Sequence, residues 1–164
     1  MKKLVALIFL LPSLVYSQEK KELDHDAYNI WRGIEKQLIS NNGAFIAYTL
    51  KPNGFGNESL MLHDFDGGVT LEHDRAYSPH FTNNSEFLIF KVSLDFDEKR
   101  YLKRKKTKEE DIPGDTLAVY SLSEKSMTKI AGLKSFRVPK KWDDYLVYTF
   151  EPAPYTTIKK EKKR

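Results

Sequence analysis

Three histidines, His63, His73 and His80, fall within 18 residues, with Asp64-Phe65-Asp66-Gly67-Gly68 among them. These residue types could hold a metal, so their spacing decides. Helical zinc sites place imidazoles four residues apart, and no pair here does so. Across a hairpin His63 and His73 could face each other and reach one metal; the simpler reading is surface or interface histidines. The Asp64 segment opens like a calcium loop, but its twelfth position is Arg75, where a bidentate Glu is needed. Its setting is strand–turn–strand, so it reads as a hairpin turn. Gly-x-Ser-x-Gly, the strained turn that presents a hydrolase nucleophile, occurs nowhere. With no cysteine, thiolate catalysis, zinc knuckles and iron–sulfur sites are excluded. Asn57-Glu58-Ser59 and Asn83-Asn84-Ser85 match the glycosylation sequon, a weak signal alone. The expected catalytic, cofactor and metal sets are therefore empty.

The amino terminus reads as a secretory signal peptide. Met1-Lys2-Lys3 precedes the apolar run Leu4 to Leu11, and Val15 and Ser17 occupy the −3 and −1 places of a small-residue cleavage site. Cleavage between Ser17 and Gln18 makes 1–17 the leader and the product exported, periplasmic or secreted. Pro12 interrupts the run, which is too short for a span of roughly 20 residues. No later segment is apolar enough to cross a bilayer, so no membrane span is expected after leader removal. An exported chain without disulfides must rely on its core or on a partner domain.

The 27 basic residues outnumber the 23 acidic ones, but five of them lie in Lys159–Arg164. Without that tail and the leader lysines the balance is slightly acidic, which argues against a nucleic-acid partner.

The elements that would position any site follow a repeat. Ile39-Ser-Asn-Asn-Gly-Ala-Phe-Ile-Ala-Tyr-Thr-Leu50 returns 42 residues later as Phe81-Thr-Asn-Asn-Ser-Glu-Phe-Leu-Ile-Phe-Lys-Val92. A weaker third copy runs from Val138 to Phe150, with Tyr145 matching Phe45. Leu60–Phe65 aligns with Leu117–Leu122 at an offset of 57, because residues 95–113 are inserted in the second unit. Short strands repeating every 40–45 residues mark propeller blades. Phe45 to Leu50 is apolar on both faces, as a strand stacked between two blades requires. The expected fold is all-β: a partial β-propeller of two to three four-stranded antiparallel blades. A flexible lead-in (18–27) precedes the propeller (28–152), and a basic tail or interdomain linker (153–164) follows. The insertion, with seven basic and six acidic residues, is expected to be a solvated, partly helical loop.

Ile39-Ser-Asn-Asn-Gly-Ala-Phe-Ile-Ala-Tyr48 resembles the S-x-D-G-x-x-I-A-Y blade signature of periplasmic propeller proteins, with Asn41-Asn42 replacing the usual Pro-Asp. Together with Leu23-Asp24-His25, Trp31 and the ending Ile112-Pro113-Gly114-Asp115-Thr116-Leu117, it resembles the amino-terminal region of S9 serine peptidases of Bacteroidetes type (prolyl oligopeptidase and dipeptidyl peptidase-like). The resemblance implies a propeller that caps an α/β-hydrolase domain and filters its peptides. The Ser, Asp and His of that family lie in the hydrolase domain, so no catalytic residue carries over. The chain is expected to be a truncated propeller portion of an exported peptidase, inactive alone. Its expected partners are the missing hydrolase domain, in cis or as a separate chain, and peptides passing through it. The alternative is a stand-alone exported β-propeller-like binding module that completes its ring by self-association.

Overall fold

The computed structural model describes residues 28, 30–142 and 145–150. Ser17, Gln18, the lead-in and the basic tail lie outside the described residues. β1 (Arg32–Ile39), β2 (Phe45–Pro52), β3 (Ser59–Asp64) and β4 (Gly68–Asp74) form one antiparallel sheet in chain order. β5 (Ala76–Phe81), β6 (Phe87–Val92), β7 (Asp115–Ser121), β8 (Met127–Arg137) and β9 (Val147–Phe150) form a second. The first sheet is one blade of a partial propeller, the second holds the next blade and the start of a third, and no closed barrel forms among the described residues.

The repeat is reproduced pair by pair. Thr49 opposes Leu60 in the first blade, and Lys91 opposes Leu117 in the second. Leu60 opposes His73, and Leu117 opposes Ile130, again displaced by 57. Equal registers with unequal loop lengths mean that cross-strand packing, not connection length, sets the pairing.

The turns entering β2 and β6 explain the Ser/Thr-Asn-Asn motif. The Ser40 hydroxyl accepts from the Phe45 N–H (2.9 Å) and donates to Asn42 Oδ1 (2.7 Å). Thr82 treats Phe87 (3.0 Å) and Asn84 (2.7 Å) in the same way. Asn42 Oδ1 also accepts from the Ala44 N–H (3.1 Å), and Asn84 Oδ1 from the Glu86 N–H (3.2 Å). Short polar side chains thus close both turns by bonding their own backbone. Gly43 (φ 73°) and Ser85 (φ 59°) hold the left-handed position in each.

The third copy appears where the second blade ends. Arg75, at φ 62°, joins β4 to β5; the residue 57 positions on is Gly132, at φ 73° inside β8. β8 is therefore two strands in one: Met127–Ala131 completes the second blade, and Leu133–Arg137 begins a third. β9 supplies the third blade's second strand, pairing Leu133 with Phe150 and Phe136 with Tyr148. Only these two strands of that blade are present among the described residues.

The core lies between blades. Ala47, Leu60 and Leu62 of the first blade pack on Leu88, Phe90, Val92, Ala118 and Tyr120 of the second. The second blade's opposite face, Ile89 and Leu117 with Val119 and Ile130, meets Leu133, Phe136 and Val138. Burial on both faces accounts for the continuous apolar run of β6. The equivalents of Leu88, Phe90 and Val92 in the first blade are Ile46, Tyr48 and Leu50, which remain only half-buried. β2 thus departs from the expectation of burial on both sides, because no blade covers that face.

Candidate functional site

The polar groups with unusual settings gather at the root of the inserted segment. α1 (Phe96–Arg104) occupies its first half, with a short 3-10 turn at Glu109–Asp111, in accord with a partly helical loop. Asp95 caps α1 by accepting from the N–H groups of Asp97 (3.0 Å) and Glu98 (3.3 Å). Acidic residues follow in the first turn and basic ones in the last, complementing the helix dipole. No residue of α1 is fully buried, so it rests on the blades without entering the core.

Asn57, in the β2–β3 loop of the first blade, grips this segment with both ends of its amide. Its Nδ2 donates to Asp95 Oδ2 (2.8 Å), and its Oδ1 accepts from the Phe96 N–H (2.8 Å). That hydrogen bond is the leading influence holding the Asp95 carboxyl below its ordinary range, seconded by the Glu98 N–H. Phe55 stacks on Phe96 with centroids 5.9 Å apart, and the Arg100 guanidinium lies 5.1 Å from the Phe55 ring. The Asn57 sequon is therefore spent on an internal clamp.

Behind the clamp lies a second knot. The Tyr77 hydroxyl on β5 donates to Asp115, the first residue of β7. Lys91 at the end of β6 approaches the same carboxylate (3.7 Å). Burial, then the bond to Asp115, push the Tyr77 phenol well above its ordinary range, so it stays protonated as a donor. Glu58 is raised too, by burial and then by Glu35, against the pull of Lys51. Glu58, Tyr77 and Lys99 line a hollow of about 300 Å³ with Asn57 and Phe96. Tyr77, Asp115 and Lys91 satisfy one another, leaving neither a free base nor an activated nucleophile. They fasten the end of the insertion to β5 and β6, as Asn57 fastens its start to the first blade.

The histidines are separated by the sheets. His63 opposes Val69 and stacks on Tyr48, whose hydroxyl lies 3.0 Å from His63 Nε2. His73 opposes Leu60 and sits edge-on against Phe90 in the interblade core. Its Nδ1–H donates to the Asp74 carbonyl (2.7 Å), so Nε2 accepts from Lys129 (3.0 Å). Burial, then Lys129 and Arg75, lower its pKa against the raising effect of the Asp74 bond. Shared ligation of a metal by His63 and His73 is thus ruled out by their separate surroundings. Among the described residues no group of three or more His, Asp or Glu side chains could hold a metal ion. Asp64 Oδ1 accepts from the Asp66 N–H (3.0 Å), the hydrogen bond of a hairpin turn. Among the described residues no helix is long and apolar enough to cross a membrane.

Sequence reading missed the Asn57 clamp and the Tyr77–Asp115 contact, since each joins residues 38 or 39 positions apart. It also missed the Arg75–Gly132 equivalence, which carrying the 57-residue offset past Leu122 exposes.

No protein-family model matches the chain, and no curated protein does. Among solved structures, the fold is similar to the β-propeller domain of the Trilobed protease from Pyrococcus furiosus, which has an open velcro topology (TM-score 0.49, 12% identity, 72% of this chain and 34% of that one). It is likewise similar to the acylaminoacyl peptidase of Pyrococcus horikoshii (TM-score 0.49, 12% identity, 73% of this chain and 17% of that one). A third similar structure is an acylaminoacyl peptidase in complex with Z-Gly-Gly-Phe-chloromethyl ketone (TM-score 0.48, 14% identity, 70% of this chain and 16% of that one). The chain thus spans about a third of the first structure's propeller-domain chain and about a sixth of the length of the others.

Proposed function

We propose that the chain is the amino-terminal propeller portion of an exported S9-like serine peptidase, where it scaffolds and gates peptide access to a separate hydrolase domain. The observation that carries this reading is the unequal burial of equivalent faces: Leu88 and Phe90 are wholly buried, while Ile46 and Tyr48 are not. A blade face of that composition is built to be covered by another blade, and propellers contain about four to eight. The blade signature at Ser40–Tyr48 and the expected leader at 1–17 support the family and the compartment in this reading. The polar knots around the insertion fit a scaffold, since each of their groups is already partnered.

The test is the downstream reading frame. A Gly-x-Ser-x-Gly hydrolase within the following several hundred codons is expected, and its absence in all frames overturns the proposal. The chain alone is expected to leave prolyl and dipeptidyl chromogenic substrates uncleaved. Recovered from the periplasm or medium, it is expected to begin at Gln18.

A further inference from the structure

We infer that the cleft where the three repeats meet, at the turns that follow β1, β5 and β8, binds carboxylate-bearing peptides through Arg137 and Lys140. Asn41 of the first blade, His80 and Asn83 of the second, and Phe136, Arg137 and Lys140 of the third line an open hollow of about 530 Å³. That volume lies in the range of ligand sites, roughly 300–1,000 Å³.

The first argument is charge. No carboxylate lines the hollow among the described residues, while a guanidinium, an ammonium and an imidazole do. Neither Arg137 nor Lys140 has an ion-pair partner among the described residues. Burial, and after it the charge of Lys36, disfavour the charged form of His80 against the raising effect of its bond to the Ser78 carbonyl, so its imidazole serves the cleft as a neutral polar group. Guanidinium forks suit carboxylates geometrically, and Phe136 and Val138 offer apolar surface for a side chain's hydrocarbon part.

The second argument is a departure from the repeat. Counted back from Tyr145, which matches Phe45, the place of Ser40 and Thr82 falls on Lys140; counted on from Gly132 it falls on Pro139, and neither carries the hydroxyl that closes the earlier turns. Neither lysine nor proline can reproduce that hydroxyl closure, and Lys140 sets a cation at the cleft. A local rule broken without structural gain marks a site of function.

His80 shapes the middle of the cleft. Its ring meets Phe136 edge-on at 5.3 Å, and its Nδ1–H donates to the Ser78 carbonyl (3.0 Å). Nε2 is then left as an acceptor for a peptide N–H. The inference does not depend on the peptidase reading, because every residue it uses belongs to this chain.

Calorimetry with the full chain tests it, using N-acetyl-Phe-Glu-Glu-amide against N-acetyl-Phe-Gln-Gln-amide. The acidic peptide is expected to bind about tenfold or more tightly than its amide counterpart, and more weakly as salt rises. R137Q/K140Q is expected to abolish this preference and R137K/K140R to retain most of it. Both residues are exposed, so the melting temperature should not move. Peptide-induced chemical-shift changes at His80 and Phe136 of the unaltered chain give a readout independent of any variant. Equal binding of the two peptides, no binding, undiminished binding to R137Q/K140Q, or shifts confined elsewhere each overturn the inference.

Discussion

The side-chain amide of Asn41 donates to both the backbone carbonyl (2.9 Å) and Oδ1 (3.0 Å) of Asn83, its own counterpart 42 residues on. Beside it the Asn42 N–H donates to Ser85 Oγ (3.1 Å). Two copies of one turn therefore bind each other through the residues that define the motif. This gives a reason for serine at a left-handed position where glycine is easier: the hydroxyl serves the neighbouring blade.

Ser40→Ala and Thr82→Val should destabilise by similar amounts, about 1 kcal/mol each, by stripping a half-buried N–H of its acceptor. Urea unfolding of the two variants measures this. A large difference between them would contradict the equivalence of the turns.

Phe90→Ala should cost about 3–5 kcal/mol, because the ring is fully buried between blades. Tyr48→Ala at the equivalent position should cost much less in the isolated chain. Chemical denaturation of both compares an occupied blade face with an open one.

Gly132→Ala should destabilise by about 1–2 kcal/mol through left-handed backbone strain alone, since nothing lies within 4 Å of the added methyl. At the matching joint, Arg75→Gly should be near neutral: relief of strain opposes the greater freedom of the unfolded chain. Thermal melts of both variants check the pair.

Asn57→Asp would set a second carboxylate against Asp95 and remove the N–H that Asp95 accepts, leaving the clamp only its acceptor for the Phe96 N–H. Hydrogen exchange across residues 95–113 should accelerate, while β6 and β7 stay protected. In the unaltered chain, a carboxyl held below its ordinary range stays ionised until the pH falls beneath that range. The segment should accordingly loosen only at that acidity, as read by exchange over a pH series.

His73 and His80 have pKa values lowered chiefly by burial, so the unfolded chain binds more protons near their titration. Their contribution to stability is complete above about pH 6.5, the ordinary histidine value, and is lost as pH falls below it. Urea midpoints across that interval should drop on acidification, and the drop should flatten in His73→Gln/His80→Gln.

The blades were legible because their chemistry is local and repeated. Ser40, Asn42 and Phe45 recur as Thr82, Asn84 and Phe87, and strand alternation then fixes which side chains reach the core. The insertion's helical character was legible in its charge pattern, but its seat was not. Asn57 and Asp95 become neighbours only once two blades stack, and nothing within either segment announces the other. The end of the second blade was hidden for a different reason: Gly132 lets one strand run through a joint that Arg75 marks as a break. At the cleft, Arg137 and Lys140 look like ordinary surface cations until Asn41 and Asn83 are brought beside them.

The offset between matching strands grows from 42 to 57 at the β6–β7 connection, yet Leu117 still meets Lys91 as Leu60 meets Thr49. Fifteen additional residues are absorbed there while the β6–β7 register stays that of β2–β3. That corner is where this architecture can acquire new sequence cheaply. A domain or reporter spliced between Lys106 and Glu109 would extend from the rim and leave the stacked sheets as they are.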